Sequence, residues 1–432
     1  MNYQEAVDYL VNLDVFGWHP GLARIEKLME VLGNPERKMS FVHIGGTNGK
    51  GSATAMLAST LSSNGYKTGM FISPHLESYR ERISIDGLMI PEERLAQIAT
   101  YLKDKIQIMT DQGYEHPTGF EVSTALALVY FSEEKTDMAV IEVGLGGAID
   151  STNVILPKVS VITNVTMDHM FYLGDTIAKI ATVKSGIIKE GVPVITASEE
   201  PDALEIIENK AKAMHAPYYR IGKDLYYNVL ELSETGTKFI VKNDRGYAMT
   251  LFTPLVGAHQ AVNGTTVMMV IKELEKQGMS FSEDKIKEGF RQTFWPARLE
   301  LVGKNPKILL DAAHNYDGAD KLRRSLNTIY QYDRLIYVIG MLADKERNKV
   351  LARLGPLADV IVVTKPNSPR AGDWEAMAVE AKNFTHSVYK EEDIEKAVDL
   401  AISLAHENDL VCIAGSIYMV AHAREYILNS QK

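Results

Sequence analysis

Residues 45–52, Gly-Gly-Thr-Asn-Gly-Lys-Gly-Ser, combine glycines with a lysine and hydroxyl groups, a composition that suits an anion-binding loop. The backbone N–H groups of such a loop point at an anion, and Lys50 can reach terminal phosphates. The strict Walker spacing is not met, because Ile44 stands at the position of its first glycine and Gly51 separates Lys50 from Ser52. A glycine cluster alone is more often a plain turn, so the neighbouring elements must decide between the two interpretations.

Three further polar residues lie within or close to the ends of apolar runs: Ser73, Glu142 and His169. Parallel strands collect ligand sites at their carboxyl ends, and Mg²⁺ prefers oxygen ligands while it keeps several waters. An unpaired buried carboxylate is costly, so Glu142 must have a partner or a ligand. A serine before a proline is ordinarily a turn residue and a single histidine is ordinarily structural, and Ser52 competes with Ser73 as a hydroxyl ligand.

The flanking patterns place the glycine-rich loop between a strand and a helix. Residues 39–44 predict a short buried strand, and residues 53–64 predict a helix that Gly65 ends. Strand, loop and helix in this order form half of a parallel βαβ unit, which favours phosphate binding over a plain turn. The alternation continues, with helices predicted at 3–11, 22–32, 91–112, 121–134 and 258–276 and strands at 67–72, 138–143, 159–163 and 192–195.

The alternation restarts near Trp295-Pro-Ala-Arg298, which indicates a second domain. Its predicted strands are 307–311, 334–340, 359–364 and 409–414, with helices such as 319–329 and 391–405 between them. Residues 219–255 have short alternating runs that predict a small antiparallel sheet. We therefore predict an α/β fold with a P-loop-type, mostly parallel-sheet domain at residues 1–297 and a Rossmann-like α/β domain at residues 298–432.

Composition narrows the setting in which this chain works. A net charge of −10 argues against general nucleic-acid binding, and no apolar run approaches the length of a membrane helix. The first residues lack the basic start and apolar stretch of a signal peptide, and the single cysteine, Cys412, has no partner in the chain. We expect a cytoplasmic protein that binds neither nucleic acid nor membrane.

Residues 46–52 resemble the phosphate loop of the superfamily that contains the Mur ligases and the folylpolyglutamate synthases. The glycine after the lysine resembles the folate branch, as do Phe16-Gly17, Pro20-Gly-Leu-Ala-Arg-Ile25 and Leu32-Gly-Asn-Pro35, and the likeness covers nearly the whole chain. The resemblance implies a monomeric, ATP-dependent ligase that joins L-glutamate to the γ-carboxylate of a folate through an acyl phosphate. The shared motifs leave open whether dihydropteroate is also a substrate.

The resemblance also implies roles for individual residues, with ATP and two Mg²⁺ ions as cofactors. The implied metal ligands are Ser73, Glu142, His169 and a carbamylated Lys184. The implied ATP-binding residues are Thr47, Asn48, Gly49, Lys50, Gly51, Ser52, Asn263, Arg298 and Asp311. The implied folate-binding residues are Thr118, Phe120, Glu121 and Asp150. His314 and Ser416 match positions near the incoming glutamate, and the implied catalytic residues are Lys50, Lys184 and His314.

Each implied role has a plain structural alternative. Phe120 fits a hydrophobic core, Asp150 and Asp311 fit caps or turns, and Lys184 fits an exposed helix. The sequence also departs from the family, because Ala148 follows the double glycine where an arginine is usual and Ala297 replaces a frequent glycine. The choice of pterin substrate therefore stays open.

Two other functions remain in view. A peptidoglycan Mur ligase carries a further domain before the phosphate loop, and only 44 residues precede Gly45 here. A non-catalytic protein that binds folate or a nucleotide through the loop would not need the implied metal ligands, which are Ser73, Glu142, His169 and Lys184. Turnover of ATP that requires both a pterin acid and glutamate separates the ligase from both alternatives.

Overall fold

The computed structural model describes residues 1–17 and 19–430, apart from the side chains of Asp14 and Phe16. The predicted contribution of the Phe16 side chain therefore lies outside the described part of the chain. Two compact units are present. The first contains Met1–Asn228, Ile240–Phe252 and Val262–Thr293, and the second contains Val229–Phe239, Thr253–Ala261 and Phe294–Lys432.

An eight-stranded sheet forms the centre of the first unit. Its strands are β1 (Ser40–Gly45), β2 (Thr68–Phe71), β3 (Ile83–Ile85), β4 (Leu88–Met89), β5 (Met138–Glu142), β6 (Val159–Ile162), β7 (Val194–Thr196) and β8 (Tyr218–Arg220). They follow the order β4-β3-β2-β5-β1-β6-β7-β8. Strand β1 pairs in parallel with β5 and β6, which sets Ile44 beside Glu142 and Gly45 beside Ile162. The carboxyl ends of the central strands therefore meet at one edge.

The helices of this unit that precede residue 226 are α1 (Tyr3–Asn12), α2 (Ala23–Val31), α3 (Lys50–Ser63), α4 (Glu92–Asp111), α5 (Gly119–Glu133), α6 (Met170–Leu173), α7 (Ile177–Lys184) and α8 (Pro201–Ala213). Helices α3 and α5 are buried on nearly every side, so neither has the polar face of a surface helix. A hydrophobic core that includes Phe41, Phe71 and Phe131 packs α1, α2, α4 and α5 against the sheet. This packing fixes α5, whose first turn contains predicted site residues.

The strands β9 (Tyr226–Ser233), β10 (Gly236–Lys242) and β11 (Ala248–Thr253) form a three-stranded sheet in the region predicted for one. Helices α9 (Ala258–Lys276) and α10 (Glu283–Gln292) follow. Helix α10 lies against α3, where the Ser59 hydroxyl donates to the Gly289 carbonyl oxygen over 2.7 Å. The part of α9 from Val262 onward belongs to the first unit.

The second unit contains a six-stranded sheet of order β12-β13-β17-β14-β15-β16. Its strands are β12 (Glu300–Lys304), β13 (Lys307–Asp311), β14 (Leu335–Ile339), β15 (Val360–Val363), β16 (Val388–Lys390) and β17 (Leu410–Ala414). Only the β12–β13 pairing is antiparallel. The helices are α11 (Tyr316–Thr328), α12 (Arg347–Leu354), α13 (Ala376–Ala381), α14 (Ile394–Leu404) and α15 (Ile417–Ser430).

These two α/β units confirm the predicted fold class. The boundary at residue 297 stays a prediction, since the second unit also takes up residues 229–239 and 253–261. None of the helices in the described residues has the length and apolarity that crossing a membrane requires.

Candidate active site

The glycine-rich loop leaves β1 and leads directly into α3, as predicted. It is held by the segment that follows β6: the Thr47 N–H donates to the Asn164 carbonyl oxygen over 3.0 Å, and the Asn48 N–H donates to Asn164 Oδ1 over 2.7 Å. Thr47 Oγ1 also accepts from the Thr166 N–H over 3.1 Å. The loop is thus tied at two successive residues to a second strand end, which holds its backbone in place.

Lys50 is the first residue of α3, and its ammonium donates to the Thr47 carbonyl oxygen over 3.2 Å. The N-cap is Gly49, whose φ of 83° is one that side chains rarely adopt. A Cβ at Gly49 would lie 2.5 Å from Asn263 Oδ1, so the predicted nucleotide residue Asn263 lies against the loop. Gly51 and Ser52 are buried in the first turn of α3.

Lys184 ends α7 and is buried beneath the loop, where its ammonium donates to the Gly46 carbonyl oxygen over 2.8 Å. Burial and the nearby Lys50 charge lower the Lys184 pKa from its usual 10.5 to about 7, against the opposing pull of Asp168 and Asp150. The structure therefore contradicts the alternative of an exposed helix lysine. A large share of the Lys184 amine is neutral near pH 7.

Ser73 and Glu142 come together at the ends of β2 and β5. The Ser73 N–H donates to Glu142 Oε2 over 3.4 Å, and Glu142 is buried. His169 lies after β6 with a φ of 49°, and its ring Nε2 is 3.9 Å from Asp168 Oδ2. Asp168 is also close enough to Lys184 to act on the pKa of that lysine. His169 is thus joined to the rest of the set through Asp168.

The donor chemistry of this edge fits Mg²⁺. A serine hydroxyl and a carboxylate are oxygen ligands, and Mg²⁺ needs few protein groups because it keeps several waters. Among residues 1–17 and 19–430 no group of three histidine, cysteine or acidic side chains is arranged to hold a metal.

Helix α5 begins at a charged cluster. The Thr118 side chain accepts from the Glu121 N–H, and Glu121 Oε2 accepts from the Thr118 N–H over 2.7 Å. The Arg24 guanidinium on α2 donates to the same oxygen over 3.1 Å. Glu121 Oε1 is buried and has no hydrogen-bond partner among the described residues. The predicted folate residues Thr118 and Glu121 are therefore joined, and one carboxylate oxygen is left to accept.

Phe120 and Asp150 both lie close to Gly144. A Cβ at Gly144 would lie 2.5 Å from Phe120 Cζ and 3.1 Å from Asp150 Oδ2, so ring and carboxylate approach the same point. Asp150 also caps a short 3₁₀ helix, Ser151–Val154, as the plain alternative for this residue had it. Burial raises the Asp150 pKa above its usual 3.8, and the Lys50 charge opposes that change. Ala148, the departure from the family, lies against Gly186.

In the second unit the predicted residues gather at the ends of β13 and β17. Asp311 accepts from the N–H groups of Leu299, over 3.0 Å, and Ala313, over 2.9 Å. Burial raises its pKa, while Arg298 and His314 act in the opposite direction. The His314 ring nitrogen Nδ1 is 2.9 Å from the Ala312 carbonyl oxygen, which can only accept, so Nδ1 carries the proton.

Ser416 follows β17, two residues beyond Ala414, which is paired with Asp311 in the sheet. Arg298 donates to the carbonyl oxygen of Ala297 over 2.9 Å. The two units thus carry separate groups of predicted residues: one at the glycine-rich loop and one at the β13 and β17 ends.

The sequence interpretation missed five residues that hold these groups in place: Arg24, His43, Thr152, Asn164 and Thr166. Asn164 and Thr166 follow β6 directly, so the strand-end signal that drew attention to His169 also covers them. His43 stands inside β1, where alternation predicts only a buried side chain, and nothing in the sequence pairs it with Thr152.

Comparison with known proteins agrees with this architecture. Residues 44–271 match the Mur ligase middle domain, and residues 297–417 match the Mur ligase glutamate ligase domain. The dihydrofolate synthase/folylpolyglutamate synthase of Bacillus subtilis is 34% identical over 429 residues, which cover 98% of each chain. The chain therefore has the middle and glutamate ligase domains of a Mur ligase.

Solved structures narrow the class. The folylpolyglutamate synthase of Mycobacterium tuberculosis complexed with ADP has a TM-score of 0.91 at 31% identity, covering 99% of both chains. Escherichia coli FolC in complex with DHPP and ADP has a TM-score of 0.88 at 28% identity, covering 99% of this chain and 98% of that one. This chain belongs to the folylpolyglutamate synthase and dihydrofolate synthase family of Mur ligases, which confirms the resemblance and rules out the non-catalytic alternative.

Proposed function

We propose that this chain ligates L-glutamate to the γ-carboxylate of tetrahydrofolate at the expense of ATP, and that it also converts dihydropteroate to dihydrofolate. The observation that carries the proposal is the glycine-rich loop on β1, tied to the β6 end through Asn164 and resting on the buried Lys184. Relatives whose alignments cover 98% and 90% of this chain are named for both activities.

The proposed reaction has two steps. A substrate carboxylate oxygen attacks the γ-phosphorus, the bond to the β–γ bridging oxygen breaks, and ADP leaves. The glutamate amine then attacks the acyl carbon, loses a proton, and phosphate leaves. Lys50 and the loop N–H groups stabilise negative charge on the transferring phosphoryl group. Preorganised donors are effective at this because they need no rearrangement during the reaction. The other proposed ATP-binding residues within residues 1–297 are Thr47, Asn48, Gly49, Gly51, Ser52 and Asn263.

Ser73, Glu142 and His169 would hold the magnesium, which neutralises charge on the phosphates when it is bound. The Ser73–Glu142 contact supports Ser73 over Ser52 as the hydroxyl ligand, since Ser52 is buried inside α3. Substitution Glu142→Gln should raise the magnesium concentration needed for half-maximal activity without altering the melting temperature by more than a few degrees. An unchanged magnesium requirement would remove Glu142 from the set.

Lys184 is proposed to carry a carbamate that adds oxygen ligands for a second ion. The support is its burial beside Gly46 and its pKa of about 7, since only a neutral amine captures CO₂. Labelled bicarbonate should give a carbamate ¹³C signal that Lys184→Ala lacks, and acetate should restore part of the activity of that variant. Wild-type protein without the signal would return Lys184 to a purely structural role.

Residues 298–432 are proposed to contribute Arg298 and Asp311 to the nucleotide and His314 and Ser416 to glutamate. Thr118, Phe120, Glu121 and Asp150 are proposed to bind the pterin. In this proposal Phe120 packs on the flat pterin ring, and the carboxylates of Glu121 and Asp150 accept hydrogen bonds from the N–H groups of the pterin. We further propose a monomer that works in the cytoplasm.

Phosphate release with Mg-ATP and glutamate tests the proposal, with dihydropteroate and tetrahydrofolate in separate reactions. Turnover with both substrates is the expected result. Turnover with tetrahydrofolate alone would restrict the chain to polyglutamate synthesis. Turnover with neither would overturn the folate assignment and direct the search to the peptidoglycan-type substrates of other Mur ligases.

A further inference from the structure

A buried hydrogen-bonded chain connects the middle of β1 to the predicted pterin site. The His43 ring nitrogen Nε2 is 2.8 Å from Thr152 Oγ1, and the Thr152 hydroxyl donates to Asp150 Oδ1. His43 and Thr152 are fully buried, and Asp150 is 5% exposed. None of the residues implied by the family resemblance explains why a histidine should stand in a central strand.

The direction of each hydrogen bond follows from the donors available. Asp150 Oδ1 accepts from the Thr152 N–H over 3.0 Å as well as from its hydroxyl, so Thr152 spends its one hydroxyl proton on the carboxylate. The Thr152 oxygen must then accept from His43, which places the histidine proton on Nε2. His43 Nδ1 is buried and has no partner within the described part of the chain. This fits an unprotonated nitrogen, because burying a bare lone pair costs less than burying an unpaired N–H group.

The chain fixes which carboxylate oxygen faces the pocket. Oδ1 accepts two hydrogen bonds from Thr152, whereas among the described residues Oδ2 accepts only from the Leu145 N–H over 2.8 Å. Oδ2 is also the oxygen that shares a point with the Phe120 ring, since a Cβ at Gly144 would lie within 3.1 Å of both. A ring that stacks on Phe120 therefore meets Oδ2, which still has a lone pair to offer to a ring N–H group.

We propose that His43 and Thr152 are positioning residues that hold Asp150 Oδ2 toward Phe120 for recognition of the pterin N–H groups. The inference rests on the proposed function, in which Asp150 binds the folate. It assigns a role in substrate affinity to two side chains that do not touch the substrate. Their loss should act on the Michaelis constant for folate and leave those for ATP and glutamate unchanged.

The test is a set of steady-state measurements on Thr152→Val and Thr152→Ser. Valine keeps the volume but removes the hydroxyl, so we expect the KM for tetrahydrofolate to rise about tenfold, the cost of about one hydrogen bond to a charged group. Serine should restore it to within about twofold of wild type. Thr196→Val is the matched control. Thr196 is a buried threonine of β7, in the same sheet as His43, and its hydroxyl donates to the Ile162 carbonyl oxygen.

His43 gives a second, independent arm. Glutamine can donate from the position of Nε2 and methionine cannot, so His43→Gln should keep the folate KM and His43→Met should raise it. ¹⁵N NMR of the wild-type histidines should show His43 protonated at Nε2, a result that requires no variant to fold. A proton on Nδ1, or a Thr152→Val variant with an unchanged folate KM, would overturn the inference.

Asp150→Asn separates this inference from its premise. If that variant binds folate as wild type does, Asp150 is not a folate residue and the inference fails with its premise. If Asp150→Asn raises the folate KM and neither Thr152→Val nor His43→Met does, the folate role stands and the positioning role is overturned. Wild-type protein without turnover on any folate would overturn the proposed function itself.

Discussion

The two groups of predicted residues differ in how they are held. In the first unit the contacts join distant segments: Asn48 to Asn164 across 116 positions and Lys184 to Gly46 across 138. In the second unit two of the side-chain hydrogen bonds are local, those of His314 with Ala312 across two positions and of Asp311 with Leu299 across 12. Sheet pairing of β13 with β17 then brings Ser416 to the same edge as Asp311. The loop of the first unit is therefore held by side-chain hydrogen bonds between distant segments, whereas these two side chains of the second unit are held within their own turns.

This difference has a functional meaning. Charge stabilisation during phosphoryl transfer requires donors that are already in place, because reorganising them would consume part of the benefit. Binding of an amino acid tolerates more local adjustment, since its cost falls on affinity alone. Loss of a charge-stabilising residue of the first group, such as Lys50, should therefore reduce kcat. Substitution of the proposed glutamate residues of the second group, His314 and Ser416, should mainly raise the KM for glutamate.

The largest effect is expected from Lys50→Met. It removes the ammonium at the start of α3 and should lower kcat by about 10²–10³-fold, the loss typical of one group that stabilises transition-state charge. Discontinuous assays of ADP formation at saturating substrate concentrations measure this kcat. Lys212→Met, on the exposed part of α8, is the control and should retain wild-type kcat. A Lys50→Met enzyme with a raised KM for ATP and full kcat would show uniform binding instead.

Gly46→Ala should have the next largest effect. A Cβ at this position would overlap Thr163 Oγ1, and the φ of 138° is strained for alanine. The loop must shift away from the β6 end, so we expect the KM for ATP to rise by at least about tenfold, with a lower melting temperature. Gly65→Ala is the matched control, because its φ is 90° but nothing lies within 4 Å of the added Cβ. Equal losses of ATP affinity in both variants would show that backbone strain alone is responsible.

A smaller effect is expected from His314→Ala in the second unit. Loss of the imidazole should raise the KM for glutamate about tenfold, and the KM for ATP and for folate should stay within about twofold. Asparagine can still donate to the Ala312 carbonyl oxygen, so His314→Asn should preserve the turn and isolate the contribution of the distal nitrogen. His422→Ala, a surface position on α15, serves as the control. A loss of kcat with an unchanged glutamate KM would place His314 in the chemical step instead.

The sequence was sufficient for the fold class. It also supplied candidate site residues, but not the contacts that connect them. Hydrophobic periodicity located β1, α9 and β13 to within one residue at each end, because these elements are buried and lie between clear turns. The short hairpin of β3 and β4 escaped prediction, since two- and three-residue strands have no period to detect. The His43–Thr152 contact joins residues 109 positions apart, and no local pattern encodes such a pair.

The smallest effect concerns acid stability, and it compares the fully buried His43 of the first unit with the partly buried His259 of the second. Burial lowers the pKa of His43 from its usual 6.5 to about 3, with Lys189 acting in the same direction. Burial likewise lowers the pKa of His259 to about 3; Lys321 and Arg298 act in the same direction and Asp317 opposes them. Each ring is therefore neutral in the folded protein at every pH above about 3.

The unfolded chain takes up a proton on each histidine as the pH falls through 6.5, whereas the folded chain does not until about pH 3. The contribution of each neutral ring to the stability of the folded protein is therefore fully present above pH 6.5. It is lost progressively as the pH falls from 6.5 to about 3. For each of these histidines, the free energy of unfolding should fall by about 1 kcal/mol as the pH drops by one unit below 6.5.

Denaturant titrations at pH 7.5 and 5.5 test this. The free energy of unfolding should depend less on pH in His43→Gln and in His259→Gln than in the wild type. The reductions should add in the double variant, because the residues lie in different units. Variants as sensitive to acid as wild type would mean that these rings accept protons while the chain is folded.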